Sequence, residues 1–106
     1  MKSLLDIIKN FDYNSFGSVP KILLMAPTKI GDDIENKKYA NYNNESAKNS
    51  KELAKEYEDL AKEFGCYFFD AGSVAEPSKI DYVHLMPEGH KAIAESLHKK
   101  ILDILK

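Results

Sequence analysis

Residues 46–69 read SAKNSKELAKEYEDLAKEFGCYFF, and two different periods meet in this stretch. Leu53, Tyr57, Leu60 and Phe64 stand at i, i+4, i+7 and i+11, with Ala54 and Ala61 beside them and Lys and Glu filling the opposite face. That spacing predicts an amphipathic helix. Gly65 supplies its C-terminal stop. Cys66-Tyr67-Phe68-Phe69 follows at once as a short apolar strand that ends at Asp70-Ala71-Gly72. Upstream, Lys21-Ile22-Leu23-Leu24-Met25-Ala26 forms a second apolar run between Pro20 and Pro27. A continuous apolar run bounded by prolines reads as a strand covered on both faces, as in a parallel sheet. Strand, helix and strand in this order make a right-handed parallel crossover, so the class is α/β.

Working outward, Leu4, Leu5, Ile7, Ile8 and Phe11 recur at helical spacing, and Asn14, Ser15, Gly17 and Ser18 break the pattern. From Thr28 to about Asn44 no period survives. This long polar connection carries Asp32, Asp33 and Glu35 followed by Lys37 and Lys38, which predicts a solvated loop, and Tyr39 and Tyr42 offer rings for an acyl or aryl pocket. Pro87 suits the first turn of a last helix, whose stripe of His90, Ile93, Ala94, Leu97, Ile101, Ile104 and Leu105 is expected to pack on the sheet. Two strands and three helices cannot cover both sheet faces or satisfy the edges. An incomplete sheet follows, with self-association into a homo-oligomer as its expected remedy.

The chain has 106 residues, 43% hydrophobic and 30% charged, which bounds it to one modest globular domain spanning 1–106. Fifteen Lys and Arg against seventeen Asp and Glu give a net charge of −2, too balanced for the basic footprint that nucleic acid requires. No apolar stretch is long enough to span a bilayer, and Asp6 and Lys9 interrupt the opening segment, unlike a signal peptide. The sequence reads as cytoplasmic. A single Cys66 permits no internal disulfide and no cysteine-based zinc site, and its apolar surroundings predict a buried small hydrophobe.

Chemistry concentrates between the second strand and the last helix, beyond the carboxyl end of a strand, where ligands bind in open α/β sheets. There stands Asp81-Tyr82-Val83-His84. An Asp three residues before a His can reach the imidazole Nδ1 proton within one turn, fixing the tautomer and leaving Nε2 as a base. Asp81 and His84 would then form two thirds of a nucleophile-activating triad. Alternatives remain at this point: a turn Asp capping its own backbone beside an unrelated His, or a metal site using Asp81, His84 and His90. Ser73 and Ser78 share the loop and read as turn serines, His98 as solvated, His90 as partly buried, and Asp70 as a cap for the turn that follows it.

The wider string Asp81-x-x-His84-Leu85-x-Pro87-x-Gly89-His90, just before a C-terminal helix, resembles the last sequence block of the SGNH (GDSL-type) hydrolases. Pro20 to Pro27 is similar to that family's strand ending in a substrate-side loop, and Ser50 to Ala71 is similar to its penultimate helix and strand, especially in the arylesterase-like branch. The resemblance implies part of a flavodoxin-like three-layer α/β/α sandwich and a serine esterase site without cofactor or metal, acting on carboxylic esters. In it Asp81 orients His84, and His84 activates the serine. The sequence holds no Gly-Asp-Ser-Leu stretch and no Gly-x-Asn-Asp, so the nucleophile and oxyanion blocks have no counterpart here. The expectation is a C-terminal half, inactive alone, whose ester substrate binds once the other half is supplied.

Overall fold

The computed structural model describes residues 1–32, 34 and 43–106. Among them are three α-helices, α1 (Lys2–Asn10), α2 (Asn44–Phe64) and α3 (Pro87–Ile104), and two strands, β1 (Leu23–Ala26) and β2 (Tyr67–Asp70). The strands pair in parallel, Leu23 opposite Tyr67 through Ala26 opposite Asp70, with α2 as the crossover. The α/β class and its partial sandwich are therefore as the sequence implies.

Helix α2 starts at Asn44, two residues before the stretch 46–69 that predicts it, because Asn43 and Ser46 build a capping box. The Asn43 side chain accepts from the Ser46 N–H at 2.9 Å while Ser46 Oγ accepts from the Asn43 N–H. Two of the orphan donors of the first turn are thereby satisfied. At the other end Gly65 adopts φ 65° and returns its N–H to the carbonyls of Ala61 and Lys62. A side chain is disfavoured in that left-handed conformation, so the glycine sets where β2 begins.

Alternation along the strands divides the sheet into two unequal faces. On one, Leu24 packs with Leu5 of α1 and Ala61 of α2, ringed by Ile22, Tyr57, Leu60, Phe64, Cys66 and Phe68. Leu5 is the anchor of α1, only 2% exposed. Cys66 is half-buried against this core, as a small apolar side chain. On the other face α3 lies against β2. Lys21 Nζ donates to the Ile104 carbonyl at 2.7 Å, tying the end of α3 to the start of β1.

Met25 is 43% exposed and Tyr67 41%, so the reading of β1 as covered on both faces gives way to the incomplete sheet that the count of elements predicts; among the described residues α3 packs on β2. The stripe of α3 is also half open: none of its residues is buried, and Leu105 is 67% exposed.

Among the described residues the ladder also has an open side. Tyr67 donates its N–H to the Ile22 carbonyl at 2.9 Å, which turns the even-numbered amides of β1 toward β2. In a parallel ladder alternate residues face opposite edges, so the N–H and C=O groups of Leu23 and Met25 point away from the sheet.

Candidate active site

Beyond β2 the chain is shaped by its own polar side chains. Asp70 Oδ1 accepts from the Gly72 N–H at 2.9 Å, the capping role its position suggests, and Ser73 Oγ donates to the Asp70 carbonyl at 2.7 Å. The next loop closes on itself. Ser78 donates its N–H to the His84 carbonyl at 2.7 Å, and Tyr82 donates its N–H to the Ser78 carbonyl at 2.8 Å.

Inside that loop Asp81 is the hub. Its Oδ1 accepts from the N–H groups of Val83 and His84, each at 2.9 Å, and from Ser78 Oγ at 3.1 Å. Its Oδ2 meets His84 Nδ1 at 2.6 Å. The Val83 N–H bond, then the His84 ring and backbone bonds, then the Ser78 hydroxyl hold the Asp81 carboxyl well below the usual carboxylate range. An ionised Asp81 can only accept, so the shared proton resides on Nδ1 and Nε2 carries the lone pair. The His84 side chain is 83% exposed and that of Asp81 22%, so the imidazole projects while its carboxylate stays seated.

A pH dependence follows from the lowered Asp81 pKa. A carboxylate whose folded pKa is depressed contributes stability above its unfolded pKa of about 3.9 and loses it as pH falls through the folded value. The melting difference between the native chain and Asp81→Asn should hold from neutral pH to about 4 and shrink below that. A difference that fails to shrink below about pH 4 would contradict the bonding just described.

Asp81 and His84 are thus brought together, as their spacing suggests, but other candidates are not. Ser78 is buried at 7% exposure and Ser73 is turned to backbone, so both hydroxyl protons are committed. His90 is exposed, not partly buried as the apolar stripe suggested. His98 is exposed as anticipated. Among the described residues no group of three His, Cys, Asp or Glu is placed to hold a metal ion, so His90 does not join Asp81 and His84. Asp32 pairs with Lys51 Nζ. Asp33, Glu35, Lys37, Lys38, Tyr39 and Tyr42 lie outside the described residues.

Ser78 is the turn serine its place in the loop suggests, accepting from the Ile80 and Asp81 N–H groups, and sequence reasoning missed its bond to Asp81 and the role of Gly31. Ser78 stands three residues before Asp81, a spacing that favours a hydroxyl-capped turn and could have revealed it. Gly31 carried no signal: it donates its N–H to the Tyr82 carbonyl at 2.8 Å across more than fifty residues of sequence. A cavity of about 280 Å³ opens beside this contact, lined by Lys29, Gly31, Lys51, Gly72, Pro77 and Tyr82 among others.

No family model matches the sequence, and no curated protein matches it. Solved structures do. A carbohydrate acetylesterase family member from Sinorhizobium meliloti superposes with a TM-score of 0.77 and 31% identity over 92% of this chain and 46% of its own. A protein named as an arylesterase, from Agrobacterium tumefaciens str. C58, superposes at 0.78 with 37% identity, over 98% of this chain and 49% of its own. A third crystal structure reaches 0.88 with 33% identity, over 98% and 47%. The chain spans about half the length of the structures it matches. With this identity carried across nearly all its residues, the chain has the partial α/β fold of an esterase-type hydrolase.

Proposed function

We propose that residues 1–106 are the part of an SGNH (GDSL-type) serine ester hydrolase that supplies the general base, and that Asp81 and His84 are its catalytic pair. The observation that carries this reading is the 2.6 Å contact between Asp81 Oδ2 and His84 Nδ1, with the imidazole otherwise open. In the reaction, a serine hydroxyl gives its proton to His84 Nε2 as its oxygen attacks the ester carbonyl. The imidazolium, stabilised by Asp81, then protonates the departing alkoxide and leaves an acyl-serine. Water repeats the cycle, giving its proton to Nε2, and the carboxylic acid leaves as the serine regains a proton. Ser73 and Ser78 are both committed elsewhere, so the nucleophile and the oxyanion donors come from the complementary half. The chain alone is inactive on this reading. A p-nitrophenyl acetate assay tests it, comparing the native chain with His84→Ala, alone and combined with the half of the Agrobacterium protein that this chain does not cover. Turnover by the isolated chain, or turnover by the combination that ignores His84, would overturn it.

The open side of β1 favours a second reading, a non-catalytic module that assembles with another copy. The outward amides of Leu23 and Met25 and the half-open face at Met25 and Tyr67 offer a strand edge beside apolar surface. A twofold pairing of β1 edges would make a continuous four-stranded sheet. Sedimentation equilibrium should show association that tightens with concentration, with melting that rises in step, and Met25→Pro should weaken both by removing an edge donor. A monomer melting independently of concentration would exclude the pairing.

A further inference from the structure

Tyr82 lies between Asp81 and Val83 and is, among the described residues, the non-glycine with positive φ, 59°. A tyrosine stays in that strained region only when its surroundings hold it there. Two backbone bonds do so: its N–H donates to the Ser78 carbonyl and its carbonyl accepts from the Gly31 N–H, both at 2.8 Å. Its ring side is sealed by the same glycine. A Cβ at Gly31 would sit 2.6 Å from Tyr82 Cδ1 and 2.9 Å from Tyr82 Cβ. The ring could swing from the first contact, but the second atom moves only with the backbone.

Gly31 cannot retreat either. The preceding residue, Ile30, donates its N–H to Ser50 Oγ at 2.9 Å, and Ser50 Oγ donates to the Ala47 carbonyl at 2.7 Å, so the loop after β1 is pinned to α2. We propose that Gly31 and the left-handed Tyr82 form a lock that positions the Asp81–His84 pair, with Tyr82 as a positioning residue and α2 as the backstop. The inference rests on the hydrolase reading only for its functional meaning. Its geometry concerns the turn itself: the N–H groups of Val83 and His84 that hold Asp81 Oδ1 follow directly after Tyr82 and move with it.

The test is NMR on the intact chain, reading the imidazole nitrogens of His84 and the amides of Val83 and His84. The native chain should show one imidazole tautomer, protonated at Nδ1, when the ring is neutral. Gly31→Ala should mix the tautomers and shift both amides toward positions typical of solvated turns. Gly72→Ala is the control: its Cβ would meet the flexible Lys29 stem and Asp70 Oδ1 at 3.2 Å, and the His84 signals should hold. Adding Tyr82→Gly to Gly31→Ala removes the ring and the strain together, and should restore the single tautomer, also rescuing folding if Gly31→Ala alone unfolds. An unchanged His84 spectrum in Gly31→Ala, or a double variant that fails to restore it, would overturn the lock. Ester turnover is not among these readouts, so the lock and the hydrolase assignment fail separately.

Discussion

In the proposed esterase, assembled with a complementary half, His84→Ala should lower kcat/KM roughly ten-thousand-fold, while the isolated chain and its His84→Ala variant should be indistinguishable. The size comes from the double duty of one residue. His84 removes the serine proton in forming the acyl-enzyme and protonates the leaving alkoxide, so its loss removes proton transfer from both halves of the cycle. Four decades correspond to about 5 kcal/mol of transition-state stabilisation. Asp81→Asn should lose less, because the imidazole keeps its place near the reacting atoms but gives up the carboxylate that fixes its tautomer. Equal rates for the completed enzyme with and without His84 would show that some other group moves the proton.

Leu5→Ala should destabilise the fold by about 3 kcal/mol, lowering the melting temperature by roughly 10–20 °C in a chain of this size. Leu5 is 2% exposed and meets Leu24 of β1 and Ala61 of α2, whereas its neighbours Leu4 and Ile7 are 52% and 68% exposed. Helix α1 is therefore held chiefly by one side chain. Truncating it leaves a cavity at the contact of three elements, in a fold whose whole margin is on the order of 5–15 kcal/mol. Leu4→Ala, one residue away on the exposed side, should change stability by no more than about 0.5 kcal/mol. If the two variants melt together, α1 does not dock through Leu5.

Local pattern was enough for much of this. The period of Leu53, Tyr57, Leu60 and Phe64, the stop at Gly65 and the proline-bounded run before Pro27 specify elements within a few residues, and those elements form. The Asp81–His84 contact was legible for the same reason: three residues span it. Burial was not legible where it depends on a second layer. The count of elements predicts an open face, but nothing in the apolar residues of β1 or α3 reports that it falls at Met25, His90 and Leu105. Long-range partners were equally silent. That Gly31 closes on Tyr82, or that a tyrosine adopts a glycine-like conformation, depends on where α2 brings the first loop.

The bonds that orient His84 all arise between Ser78 and His84, within seven consecutive residues. In folding terms these are contacts of very short sequence separation, which form without first closing a long loop. The orientation of the imidazole therefore needs only this segment and the Gly31 contact that locks Tyr82, both contained in these residues. On the proposed reading, no orienting bond of the pair would be severed by dividing a hydrolase domain ahead of these residues, and a nucleophile arriving on a separate polypeptide would meet a base that is already aimed. Proteins whose active-site parts are each assembled locally can be broken and rejoined between those parts, and the turn from Ser78 to His84 has the form of such a part.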